Sequence, residues 1–145
     1  MIALDTSFLV GLTIREHPAH ANCLQLFETS ILGNPSSAAI CAQIMGEFAH
    51  VVTDSKRFSQ PLTMPDALAI CRQWWQAEEC RVVEPSAHSF PLFLDWMRRH
   101  RLGRKRVHDT LLAANYHSAG IQRIATTDWR DFHIFGVFEI HRLQA

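Results

Sequence analysis

The chain has 145 residues, with 14 basic and 14 acidic side chains in balance. That length suits one domain, 1–145, able to bury a core without disulfides or a structural metal. The charge balance excludes a molecule that holds polyanions by net charge alone, so a nucleic acid or anionic surface would have to be gripped by a local patch.

In chain order, "MIAL" is short, apolar and N-terminal, which predicts a central parallel strand covered on both faces. "LDTSFLV" then places Asp5 where the strand gives way to a helix start, with Thr6 and Ser7 positioned to cap the helix or hold water. "SFLVGLTI" predicts the first helix, and "EHPAH" breaks it. "AHANCLQLFETS" resumes the helical pattern with Ala21, Leu24 and the Phe27/Glu28 turn at helical spacing, and "GNPSS" marks a further turn. A short strand is expected near Ala38 to Ile40. The following helix repeats Ile44, Phe48 and Val51 on one face, which Glu47 shares.

"TMPDALAICRQWWQA" has Thr63 and Asp66 at capping-box spacing, with Pro65 in the first turn. Leu68, Cys71, Trp74 and Trp75 give it an apolar face with a structural look, on which the paired tryptophans are candidates for core or interface. "CRVVEP" is a strand, "AHSFPLFLDWMRRH" a helix, and "VHDTLLAANYHSAG" a helix closed by Gly120. "IQRIATTD" is a strand running into Asp128, and "FGVFEIHRL" is a terminal strand. Strands alternating with helices predict an α/β fold, a three-layer α/β/α sandwich around a mainly parallel sheet.

Cys23, Cys41, Cys71 and Cys80 show no CxxC spacing and sit mostly among apolar neighbours, as in the core of a reduced, cytoplasmic protein. No apolar run approaches the roughly 20 residues that span a bilayer, so no membrane association is expected.

In a parallel α/β sheet the working site lies beyond the carboxyl ends of the strands. Asp5 and Asp128 both close strands at that edge. Asp109 opens a helix, where an acid also suits the helix dipole, and Glu47 sits on a face whose apolar neighbours would make an unpaired carboxylate costly to desolvate. Carboxylates brought together repel unless a cation lies between them, and Asp and Glu ligands suit hard divalent ions. The nine histidines show neither HExxH nor paired Cys/His spacing, and GxGxxG, GxxxxGK[ST] and GxSxG are all missing. A receiver-like phosphoacceptor would need a lysine on a late strand, which "IQRIATTD" does not offer.

With these acids placed, the chain resembles the PIN-domain ribonucleases, and more narrowly the VapC-like toxins of type II toxin–antitoxin pairs. The resemblance rests on "LDTSFLV", "EHP", "GEFAHV", "VHDTLLAANYHSAG" and "IATTDWRDF", in that order and across nearly the whole length. It implies a metal-dependent endoribonuclease in which Asp5, Glu47, Asp109 and Asp128 form an acidic quartet around one or two Mg²⁺ or Mn²⁺ ions. Asp5, Asp109 and Asp128 are the expected direct ligands, and Glu47 acts directly or through water. Ser7 and Thr126 support the acids, and Asp131 is a supplementary candidate.

The basic run "RLGRKR" precedes Asp109, so Arg104, Lys105 and Arg106 are expected to hold RNA phosphates at the rim. The resemblance also implies a VapB-like antitoxin partner and a homodimer. Trp129, Phe132 and Tyr116 are candidates for base stacking, though packing is the commoner use of such residues. The competing reading is a PIN-fold protein-binding module with weak or lost nuclease activity, and DNA is a second possible substrate.

Overall fold

A computed structural model describes residues 1–144. Five strands, β1 (Ile2–Leu4), β2 (Ala38–Ile40), β3 (Cys80–Val82), β4 (Arg123–Thr126) and β5 (Glu139–Arg142), form one sheet in the order β3-β2-β1-β4-β5. Every neighbouring pair is parallel. The central strands read as unbroken apolar runs because both faces are covered, and Ala3, Ala38, Ala39 and Ala125 keep the sheet thin where helices lie against it.

Seven helices complete the fold: α1 (Thr6–Thr13), α2 (His20–Leu26), α3 (Ala42–Val52), α4 (Met64–Gln76), α5 (Ser89–Arg99), α6 (Val107–Ser118) and α7 (Trp129–His133). The chain steps from β1 to β2 to β3 in one direction, then crosses to β4 and β5 on the other side of β1. Right-handed crossovers therefore put the first four helices on one face and the last three on the other, and α1 to α4 pack on one another, as do α5 to α7. The result is the expected α/β/α sandwich, with a wholly parallel sheet.

Three helices differ in detail from the pattern read along the chain. Asp5, not Thr6 or Ser7, is the N-cap of α1, its carboxylate accepting the Thr6 N–H at 2.8 Å. In α2 the buried residue is Cys23, Ala21 is exposed, and the helix widens into a π turn over Phe27–Ile31 that brings Ile31 into the core. In α4 the inner stripe is Ala67, Cys71 and Trp74, while Leu68 and Trp75 face outward. Trp74 meets Phe8 and Phe27 edge-on, at centroid distances of 6.5 and 5.9 Å. The Thr63 cap forms as expected, its hydroxyl accepting the Asp66 N–H. Gly120 closes α6 with φ +82°, a left-handed conformation that favours glycine.

Tyr116 ties α6 to the sheet. It is fully buried, and its hydroxyl donates to the Leu4 carbonyl at 2.7 Å, with the Ala39 carbonyl of the next strand 3.3 Å away. The base-stacking role considered for it is therefore closed off. Tyr116→Phe is expected to cost about 1–2 kcal/mol by leaving a buried carbonyl short of a donor. A lower urea midpoint with an unchanged slope is the corresponding measurement.

Candidate active site

The strand order reverses at β1, so β1 and β4 leave the sheet at its switch point, where their loops diverge and a crevice opens. Asp5 follows β1 and Asp128 follows β4. Asp5, Glu47, Asp109 and Asp128 all line one cleft of about 380 Å³, together with Thr6, Ser7, Val10, His17, Val51, Arg57, Phe58 and Thr127.

Asp5 is the most enclosed of the acids. One oxygen, Oδ1, accepts the Thr6 N–H, while Oδ2 accepts the Ser7 hydroxyl at 2.6 Å and the Thr126 hydroxyl at 2.8 Å. Those two hydroxyls in turn accept backbone N–H groups of the β4–α7 turn, Thr127 N–H to Ser7 at 3.0 Å and Asp128 N–H to Thr126 at 2.9 Å. Each hydroxyl has one proton and directs it to Asp5, so their 3.2 Å approach to one another is a contact within a relay aimed at the carboxylate. Ser7 and Thr126 thus support Asp5 directly, and the relay fixes the β4–α7 turn against α1.

The relay only partly offsets burial. Desolvation, with smaller contributions from Glu47 and Asp128, pushes the Asp5 carboxyl up to about 6. Asp109, half-buried in the first turn of α6, is pushed up to about 7 by desolvation and then by Asp5, Asp131 and Glu47. Asp128 also rises, through desolvation and then Asp131.

Glu47 corrects an expectation. Its neighbours Ile44 and Phe48 are buried, but Glu47 itself is exposed at the mouth of the cleft, so desolvation is not what makes it notable. Among the described residues it has no arginine partner, and its carboxylate accepts the Thr6 hydroxyl at 2.9 Å.

Of the basic run, Arg104 and Lys105 are exposed on a 3₁₀ turn, Arg104–Arg106, and do not line the cleft. Arg106 turns inward. Its guanidinium donates to the Asp131 carbonyl and lies 3.6 Å from the Asp131 carboxylate. Asp131 sits outside the cleft lining and is engaged there. Phe132 is buried, and Trp129 packs under the Arg142 guanidinium, 3.7 Å from ring centroid, with Arg130 at 4.8 Å. None of the three aromatics considered for stacking reaches the cleft.

His17, Arg57 and Phe58 line the cleft without having been picked out from the sequence as site residues, as do Val10, Val51 and Thr127. His17 lies in the "EHP" break after α1, while Arg57 and Phe58 lie in the loop between α3 and α4. His17 belongs to the "EHP" that carries part of the resemblance, with no role assigned to it there, and Arg57 and Phe58 gave no more signal than a polar interruption between helices.

The donor set fits a hard divalent ion: four carboxylates and no thiolate line the cleft, three of them with pKa values raised first by burial and then by neighbouring carboxylates, which for Asp128 means Asp131 outside the lining. Among the described residues no three His, Cys, Asp or Glu side chains converge at ligand spacing. An ion held by one or two carboxylates, with water and substrate oxygens completing the set, matches that spacing.

A parallel α/β/α sandwich with carboxylates gathered at its switch point defines the class of protein. The chain belongs to the PIN domain family, whose model matches residues 2–136. Among solved structures it is similar to the Mycobacterium tuberculosis toxin VapC20, described as cleaving the sarcin-ricin loop. The identity is 20%, with 97% of this chain and 99% of that one covered and a TM-score of 0.73. It is also similar to FitAcB of Neisseria gonorrhoeae, at 16% identity, 97% of each chain and a TM-score of 0.64. A third is VapBC2 of Rickettsia felis, bound to a promoter DNA fragment, at 16% identity, 98% of each chain and a TM-score of 0.63. No curated protein matches the chain.

Proposed function

We propose that the chain is a divalent-ion-dependent endoribonuclease, the toxin of a toxin–antitoxin pair, acting as a single domain over residues 1–145. The observation that bears most weight is the enclosed Asp5 carboxylate, raised to about 6 and facing Glu47, Asp109 and Asp128 across one cleft. Such a cluster is destabilising on its own and is relieved by a cation.

Asp5, Asp109 and Asp128 are the proposed ligands of one or two Mg²⁺ or Mn²⁺ ions, no more than two of them to an ion with water completing its set, and Glu47 at the mouth would hold the attacking water as base or bind through water. When bound, such an ion supplies positive charge to the phosphoryl oxygens and acidifies the attacking water. Ser7 and Thr126 keep Asp5 oriented through their two short hydrogen bonds. Arg104 and Lys105 lie just before Asp109 in the chain and supply charge to phosphates farther along an RNA strand. Arg106, engaged with Asp131, serves instead to hold α6 and α7 together beside the site.

The similarity to toxins described with antitoxins supports a VapB-like partner, and the exposed Met64, Leu68 and Trp75 on one side of α4 support a homodimer contact there. No helix of the described residues is long and apolar enough to cross a membrane, which agrees with a cytoplasmic location.

Incubation of the purified protein with a mixed RNA pool and Mg²⁺ or Mn²⁺ is expected to give discrete RNA fragments, with single-stranded DNA of matching sequence as the comparator. RNA left whole under every divalent ion, by a protein that still binds an antitoxin, would favour the binding-module reading.

A further inference from the structure

We infer that the two loops facing the acids, α1–α2 and α3–α4, form a phosphate seat in which the Arg57 guanidinium and the His17 Nε2–H hold an RNA backbone phosphate beside the scissile one. The inference rests on the ribonuclease reading and assigns its substrate grip to residues outside the basic run.

Arg57 and His17 are the two basic-type side chains lining a cleft that otherwise contains four carboxylates. Arg57 is exposed, and among the described residues it makes no ion pair, despite the acids on the same cleft. Its place is set by backbone. Asp54 organises the turn, its carboxylate accepting the Lys56 N–H at 2.8 Å and its carbonyl accepting the Arg57 and Phe58 N–H groups, both at 3.1 Å. The Leu62 N–H then returns the loop to the Val52 carbonyl at 2.9 Å, and Phe58 packs against the core. Arg57 is thereby held at the cleft on a defined turn.

His17 is fixed by its own loop. Its Nδ1 accepts the Ala19 N–H at 3.1 Å, so the neutral ring carries its proton on Nε2. The ring is therefore a hydrogen-bond donor toward the cleft, suited to an anionic oxygen. Gly11 lets α2 approach α1 closely, because a Cβ there would stand 2.7 Å from Cys23 Sγ, and the His17 ring rests in ordinary contact with the same point, 3.5 Å away. His20 adds a clasp, donating from Nδ1 to the Gly11 carbonyl at 2.9 Å. The two loops are joined to each other: the Ser59 hydroxyl donates to the Glu16 carboxylate, 3.0 Å from one oxygen and 3.3 Å from the other. Donor and cation are thus presented by one connected rim of the cleft that the carboxylates also line.

The test is RNA binding by the full chain with Asp5→Asn as a non-cutting background in Mg²⁺, read by fluorescence anisotropy of a labelled single-stranded RNA across a salt series. Arg57→Ala is expected to weaken binding about tenfold and to flatten the slope of log K against log salt by about 0.7, the value for one phosphate contact on a single strand. Arg57→Lys is expected to keep the slope. His17→Leu is expected to weaken binding severalfold with no change in slope, and His17→Gln, which retains an N–H donor, to restore most of it. Thermal unfolding of each variant separates a lost contact from a lost fold. Unchanged affinity and slope in folded Arg57→Ala and His17→Leu proteins overturn the seat while leaving the nuclease reading in place. Absence of RNA binding in the background protein overturns both.

Discussion

Asp5→Asn is expected to lower RNA cleavage by on the order of 10³-fold, the scale of several kcal/mol of transition-state stabilisation that a divalent ion contributes. The same substitution is expected to leave the metal-free protein folded and more stable at pH 8. Asp5 is only 6% exposed, and its carboxyl is raised from 3.8 to about 6. Keeping it ionised at pH 8 therefore costs about 3 kcal/mol. Asparagine removes that cost but can accept from fewer of the three donors that converge on Asp5, so a net gain of about 1 kcal/mol is expected. Thermal melting in chelator, alongside the cleavage assay, checks both parts. A variant that is inactive and less stable would mean that the position serves the fold before the chemistry.

Acidification is expected to weaken the apparent affinity for Mg²⁺ or Mn²⁺ by about 10³-fold between pH 8 and pH 5. Binding an ion requires the ionised carboxylates, so protons must leave first. Asp109, raised to about 7, contributes a factor of about ten per unit below pH 7, and Asp5, raised to about 6, a further factor of about ten per unit below pH 6. The sign for stability runs the other way. Both carboxyls have folded-state values above their ordinary 3.8, so the folded protein holds their protons longer than the unfolded chain does. Without divalent ions, their contribution to stability is fully present below about pH 4 and is lost as the pH rises through 6 and 7. Adding Mn²⁺ should therefore raise the melting temperature far more at pH 8 than at pH 5. Calorimetric titration at three pH values gives the affinities, and melting gives the sign.

Strand ends were the legible part of the site. Asp5 and Asp128 each terminate an apolar run, and a parallel sheet has only one edge where such residues meet, so their meeting follows from the alternation of strands and helices. The sheet order itself needed the fold, because three-residue strands with alanine on both sides carry no pairing code. Glu47 drew notice through a helical period that placed it on the apolar face, whereas in the fold it stands exposed on the cleft beside the buried Ile44 and Phe48. Arg106 read as one of three equivalent basic residues, and nothing local reveals that Asp131, 25 residues away, turns it inward. The roles of His17, although it stands in "EHP", and of Arg57 were hidden for a related reason. Their positions depend on the Ala19 N–H holding the His17 ring, Asp54 bending the other loop and Ser59 joining that loop to Glu16, and such contacts leave no period or spacing in a sequence.

Action of the enclosed acids on RNA through a divalent ion has a kinetic signature. Its most direct test is the rate of RNA cleavage at pH 8 measured against free Mn²⁺, starting from chelator. Expected are no cleavage in chelator, a saturable rise as the ion is added, and a curve displaced about tenfold to higher Mn²⁺ at pH 6, where Asp109 must first lose its proton. Cleavage at full rate in chelator, with the same rate in Asp5→Asn, would contradict it.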